Sequence, residues 1–261
     1  MLADAPSYLD RARLLAVSSE SSSDWLHAIP MSTLGLKLDP MTLKISCALR
    51  LGSTLCHPHK CICGENVEPN GHHGLSCQNQ MGKWSRHNEI NDLLKRALVQ
   101  AKIPAVREPH GLSRKDGNRP DGLTLTSWKH GKCMIWDATV ANTVCQSYVF
   151  KCSKNPGAAA EFREKEKISH YKDLSNNYCF VPVGVESFGS WGTEGRKLVK
   201  AIGRKVMEVT GEKRSTFFLF QRISMAIQRG NASMVIGTVP RSEGLNEIFE
   251  FITNPILPDS Q

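Results

Sequence analysis

Nowhere in the 261 residues does an apolar run approach the ~20 that a membrane-spanning helix needs, and the longest candidate covers only 179–185. The start, Met1-Leu2-Ala3-Asp4-Ala5-Pro6-Ser7, has neither a basic region nor a long apolar stretch, so no secretory signal is expected. Internal repeats and low-complexity tracts are also missing. These absences point to an intracellular chain with no membrane partner. With 40% apolar and 22% charged residues, a disordered tail is excluded as well. The length allows one substantial core, or a catalytic domain with a small module beside it.

What is present in excess is positive charge, with 33 Lys and Arg against 25 Asp and Glu, a formal +8. The excess is local. Residues 196–230 hold Arg196, Lys197, Lys200, Arg204, Lys205, Lys213, Arg214, Arg222 and Arg229 against only Glu208 and Glu212. Such a stretch attracts a phosphate backbone, and it is equally readable as a solvated helix face. The nine cysteines of an intracellular chain read as metal ligands rather than disulfides.

Along the chain, residues 1–24 end in the polar run Ser18 to Asp24 and read as a flexible leader. Residues 25–80 form a linker and a Cys/His-rich module; the main domain occupies 81–240, and 241–261 is an acidic tail. Ile90, Leu93, Leu94, Ala97 and Leu98 predict a helix over 86–102. Leu123, Leu125 and Trp128, the turn Lys129-His130-Gly131-Lys132, and the run 133–140 predict a β-hairpin. After the Asn155-Pro156-Gly157 break, an amphipathic helix is expected over 158–174. A buried strand over 178–186 and helices over 195–210 and 216–230 complete a mixed α/β core.

Two aspartates stand out. Asp121, in Arg119-Pro120-Asp121-Gly122, opens the first hairpin strand, and Asp137 lies among apolar residues of the second. A hairpin sets the strands side by side, so both carboxylates can meet at one edge and hold Mg²⁺ or Mn²⁺ beside a phosphodiester. Asp121 also reads as an ordinary turn residue. Asp137 is harder to explain that way, because a buried strand carboxylate needs a cation or several donors. A cation near the attacking water is required too. Lys167 and Tyr171, four apart on the next helix, share a face that can supply it, with Lys165 as a competitor.

Cys61-Ile62-Cys63-Gly64, His72-His73 and Cys77 have knuckle-like spacing: two close cysteines, a loop, a histidine and a cysteine. Zinc takes four such ligands in a tetrahedron. The expected set is Cys61, Cys63, His73 and Cys77, with Cys56 and His72 as alternates and His57 and His59 as spare candidates.

Taken in order, these segments resemble the C-terminal region of site-specific non-LTR retrotransposon polyproteins. There a zinc knuckle follows the reverse transcriptase, and a restriction-like endonuclease of the PD-(D/E)XK superfamily follows the knuckle. The resemblance rests on the Cys61 to Cys77 set, Arg86-His87-Asn88, Glu108-Pro109, Arg119-Pro120-Asp121, Trp136-Asp137-Ala138-Thr139-Val140, and Glu166-Lys167 with Tyr171. It covers roughly 56–190. A longer run, 25–237, is similar to reading frames found downstream of reverse-transcriptase segments in invertebrate mobile elements, on His73-Gly74-Leu75-Ser76-Cys77, Arg119 to Gly122 and Gln221 to Ala232.

The resemblance implies a PD-(D/E)XK core, a mixed central sheet flanked by helices, preceded by a small zinc-binding module. It implies a nuclear, Mg²⁺- or Mn²⁺-dependent DNA endonuclease with structural Zn²⁺ and no small-molecule cofactor. Its partners would be DNA, element RNA, and a reverse transcriptase in cis or trans; no polymerase Tyr-x-Asp-Asp motif occurs in this chain. Asp121, Asp137, Lys167 and Tyr171 would be catalytic, with Asp121, Asp137 and, more weakly, Glu89 holding the metal. Arg86, His87, Arg119, Arg204, Lys205, Arg222 and Arg229 would contact nucleic acid. Glu186 would pair with a lysine rather than act as a third carboxylate. Two departures stand against the pattern: Thr139 occupies the usual lysine position, and the Cys61-x-Cys63 spacing is tight. The alternative reading is a catalytically inactive, zinc-dependent nucleic-acid-binding module, or a decayed element fragment.

Overall fold

A computed structural model describes residues 7–79, 82–112, 119–240 and 244–249. Most of the acidic tail expected over 241–261 falls outside them, and only 244–249 of it is described. No helix among the described residues is long and apolar enough to cross a membrane.

The central element is a four-stranded sheet. Its strands are β3 (Ala105–Arg107), β4 (Gly122–Lys129), β5 (Lys132–Ala141) and β6 (Cys179–Glu186), in the spatial order β3-β4-β5-β6. β3, β4 and β5 run antiparallel in turn, whereas β6 lies parallel to β5. The β4–β5 hairpin turns where the sequence predicts. His130 and Gly131 both take positive φ, 51° and 74°, the backbone that matches the twist of a two-residue hairpin loop. The parallel pair needs a crossover, and α6 (Ala158–His170) provides it, following the short α5 (Val149–Cys152).

One sheet face is covered by α4 (Gly82–Gln100) and α7 (Thr193–Thr210), and α8 (Ser215–Ile236) packs across both helices. Alternation along β5 sends Met134, Trp136 and Ala138 into this core, against Ile90, Leu94 and Leu98 of α4 and Val183 and Val185 of β6. Burying a side chain such as Met134 contributes about 1.5–3 kcal/mol. The other face receives α6, so Asp137, one residue out of phase with Trp136, points toward that helix.

The first 24 residues are not a flexible leader over their described part. Ser7 caps α1 (Tyr8–Val17), and its hydroxyl accepts from the Asp10 N–H at 3.1 Å. Ala12 and Ala16 are fully buried, and the serine run tucks inward, Ser22 donating to Val17 O at 2.7 Å. The polar composition satisfies backbone carbonyls rather than solvating a tail. Next come α2 (Pro40–Leu51), the small hairpin β1 (His59–Lys60) and β2 (Asn66–Val67), and α3 (His72–Ser76). Their apolar side chains join Val144, Phe188, Ala232 and Val235 in a second core, which seats this region on the end of α8. Past α8, α9 (Leu245–Ile248) touches the same core through Ile248. The helix expected over 158–174 stops at His170 and becomes a 3-10 turn over Lys172–Asn176.

Candidate metal centres

Two clusters of chemistry-bearing side chains emerge. The first is built on the small hairpin and α3. The loop after β1 turns tightly, with Cys61 N–H donating to Glu65 O at 2.8 Å and Gly64, at φ 93°, donating to Cys61 O. This sets Cys61 and Cys63 side by side. α3 then delivers His73 and Cys77, one helical turn apart, onto the same point. The ligand atoms of Cys61, Cys63, His73 and Cys77 all lie within 4.8 Å of one another. Cys61 Sγ to Cys77 Sγ is 3.7 Å, and Cys63 Sγ to His73 Nε2 is 3.3 Å. Sulfurs about 2.3 Å from one tetrahedral ion lie about 3.8 Å apart, so the donor set and its spacing fit zinc. Burial pushes the Cys61 thiol up to about 12, a cost that a coordinated cation removes by holding the thiolate.

The alternates are elsewhere. His72 is turned from the cluster, edge-on to Phe188 at 6.2 Å, and its ring nitrogens find no hydrogen bond among the described residues. Cys56 is buried and directs its thiol at the carbonyls of Glu68 and Pro69. His59 bridges His57 O and Thr238 Oγ1, each at 2.9 Å.

The second cluster lies at the sheet. Asp121 immediately precedes β4; its N–H donates to Trp136 O and its carbonyl accepts from Glu108 N–H, both at 2.9 Å. The side chain is thereby aimed at β5, where Oδ2 accepts from Ala138 N–H at 2.6 Å. Oδ1 is 2.9 Å from His87 Nε2 on α4. Asn91, one turn along, donates to the His87 carbonyl and accepts from Trp136 Nε1 at 3.0 Å, locking helix to strand. Asp137 Oδ1 accepts from Lys167 Nζ at 2.6 Å, and Tyr171 gives a second side-chain hydrogen bond to the same carboxylate. Tyr171 is itself held by stacking on Phe180, centroids 4.5 Å apart. Both hydrogen-bonding groups come from α6 and its C-terminal cap.

The two carboxylates are tuned in opposite directions. Burial and then the charge of Asp121 push Asp137 above the usual carboxylate range, against the pull of Lys167 and Tyr171. Burial pushes Asp121 up as well. The His87 hydrogen bond and charge, the Ala138 N–H and Lys167 together outweigh it and leave Asp121 below that range. An oxygen-only pair of carboxylates, Asp137 buried and Asp121 partly so, suits a hard divalent cation, and opposed tuning of neighbouring acids is a common mark of functional sites.

Comparison of the chain with protein-family models and with curated proteins gives no match. The reading of both clusters therefore rests on their own chemistry.

Several expected site residues are placed elsewhere. Glu89, the weak metal candidate, faces away from the aspartates; it lies two residues from His87 on α4 and pairs with Arg229 at 3.1 Å. Arg229 also donates to Gly35 O, so its guanidinium is already engaged within the protein. Arg86 is 4% exposed, packs along Gly230 and donates to Asn231 Oδ1, so it is a buried strut between α4 and α8. His87 belongs to the aspartate cluster. Arg119 pairs with Glu108, and Lys205 lies over the Trp128 ring at 5.4 Å. Arg204 and Arg222 remain exposed.

Glu186 meets no lysine among the described residues. Fully buried at the end of β6, it accepts from Ala159 N–H at 2.9 Å, Ala160 N–H at 3.4 Å and Thr143 Oγ1 at 3.1 Å, capping α6 across space. Sequence reasoning missed Glu164. From α6 it accepts from Gly184, Glu194 and Gly195 N–H groups at 2.7–3.0 Å and caps α7. Its only sequence signal is a cluster of glycines at 184, 192 and 195, where a Cβ would collide with the Glu164 side chain or its surroundings.

Proposed function

We propose that the chain is a divalent-metal-dependent endodeoxyribonuclease. In this reading the unit α4–β3–β4–β5–α6–β6 is a PD-(D/E)XK core and the Cys/His cluster is a structural zinc site. The observation that carries the reading is the convergence of Asp121, Asp137 and Lys167 from three elements, with Lys167 Nζ 2.6 Å from Asp137 Oδ1. A lysine from the crossover helix stands where Thr139 leaves the strand without one.

Asp121 and Asp137 would hold Mg²⁺ or Mn²⁺, which would supply a Lewis acid at the phosphate and an activated water. His87 orients Asp121. Lys167, whose Nζ lies 2.6 Å from Asp137 Oδ1, would offer its ammonium to the attacking water or to the charge building on phosphate. Tyr171 would hold Asp137 in place through its hydrogen bond. Arg204 and Arg222 are among the exposed cations of the basic stretch, with Lys197, Lys200, Lys213 and Arg214, and such cations suit phosphate contacts with little sequence information. The resemblance to retrotransposon tails suggests a nick that primes reverse transcription, with a reverse transcriptase as partner and the nucleus as the place of action.

The second reading, an inactive zinc-dependent nucleic-acid-binding module, is favoured by one observation. Each aspartate already has an internal basic partner, His87 for Asp121 and Lys167 for Asp137, so the pair is satisfied without metal. Plasmid nicking with Mg²⁺ or Mn²⁺ separates the two. Nicking by wild type that disappears in Asp137→Ala supports the nuclease; equal inactivity with retained DNA binding favours the module.

A further inference from the structure

Beside the aspartates lies a cavity of about 420 Å³, lined by Gln78, Lys83, Trp84, His87 and Thr139 among others. That size falls within the ~300–1,000 Å³ of small-ligand sites. Trp84 stands on the first turn of α4 and is 72% exposed, the most exposed large apolar side chain among the described residues. A solvent-facing indole buries too little surface to stabilise the fold much, and at the mouth of a cavity it is suited to serve as a stacking platform. The remaining lining is mixed. Gln78 offers both a donor and an acceptor, Thr139 a hydroxyl, and Lys83 a cation.

The cavity and the aspartate cluster share walls. His87 lines the cavity and contacts Asp121 Oδ1 at 2.9 Å. Ala138 lines it too, and its N–H holds Asp121 Oδ2 at 2.6 Å. Thr139 follows Asp137 by two residues and is short, which leaves the space open where a longer side chain would fill it.

We propose that this cavity is a nucleobase pocket, in which a base out of the helical stack lies against Trp84 while its phosphate sits near Asp121 and Asp137. The proposal rests on the nuclease reading and adds a substrate class: DNA with an unpaired nucleotide beside the scissile bond. Aromatic stacking suits that task because every base has a π-face, and a base inside an intact duplex is out of reach. Gln78 and Thr139 face the base edge, and Lys83 the flanking phosphate.

The test measures binding and nicking separately, without added Mg²⁺ or Mn²⁺ for binding. The probes are a fully paired duplex, the same duplex with one unpaired nucleotide, and that duplex with the unpaired nucleotide abasic. Trp84→Ala is expected to weaken binding to the unpaired-nucleotide probe by on the order of ten-fold. The paired and abasic probes should bind as before, and Trp84→Phe should restore most of the loss. Equal losses on all three probes, or none on any, overturn the pocket. If wild type never nicks yet the Trp84 dependence holds, the nuclease reading falls and the base pocket stands. If wild type nicks and Trp84→Ala binds all probes normally, the pocket falls and the nuclease stands.

Discussion

Gly122 lies flat on the indole of Trp136, and a Cβ at that position would come within 2.0 Å of the ring. The two residues are cross-strand partners in the β4–β5 hairpin. Trp136 in turn donates to Asn91 on α4. The residue beside Asp121 must therefore be glycine for the carboxylate to sit close to β5. Gly122→Ala is expected to cost about 1–3 kcal/mol through overpacking. It should also cut nicking more than stability alone explains; thermal melts and nicking assays on one preparation read both.

Lys167→Ala should lower nicking by about 10²–10³-fold, the range for removing one stabilising group from a preorganised site. Tyr171→Phe keeps the stack on Phe180 and loses the hydrogen bond to Asp137, so a smaller decrease, roughly ten-fold or less, is expected. If Lys167→Ala nicks as well as wild type, the lysine has no part in the chemistry.

The Cys/His cluster predicts one zinc per chain by elemental analysis. His73→Ala should lose the metal, whereas His72→Ala should keep it, because His72 faces Phe188. Chelation of the wild-type protein should lower its melting temperature and loosen the region packed on α8. Zinc retained in His73→Ala would count against the four-ligand set.

Glu186 tests the sign of a buried carboxylate. Burial raises it above the ordinary glutamate value despite the Ala159 and Ala160 N–H groups and Thr143. A raised carboxyl favours the folded state most at low pH, and that contribution is lost as pH rises through the folded-state value. Glu186→Gln should therefore flatten the fall in stability above about pH 4.5, measured by denaturant unfolding across pH. Glu186→Ala should cost about 1–3 kcal/mol at low pH by leaving the α6 N–H groups bare, and less as pH rises through the folded-state value.

The features legible in the sequence were those with a local signature. The hairpin announced itself through His130-Gly131 between alternating runs, and the crossover helix through the Asn155-Pro156-Gly157 break. Lys167 and Tyr171 were visible as an i,i+4 pair. What stayed hidden depends on contacts between distant parts of the chain. Arg86 looks like any helix arginine until Gly230 and Asn231 close over it. Glu89 and Arg229 are 140 residues apart, so their pairing has no sequence footprint. The serine run before Asp24 reads as a linker because composition cannot say that Ser22 will turn back onto Val17.

Lys167 hangs from a helix, while the acid that it serves is on a strand. Glu186 grips one end of that helix, and Glu164 ties its middle to α7. The lysine can thus be positioned by a clamp that owes nothing to the strand's own side-chain alternation. In the proposed nuclease, position 139 is freed from carrying a cation and holds a small residue, and the strand beside the acids gains a hollow. Where a fold moves one charge to a neighbouring element, it also decides what shape of molecule can lie down next to the reaction.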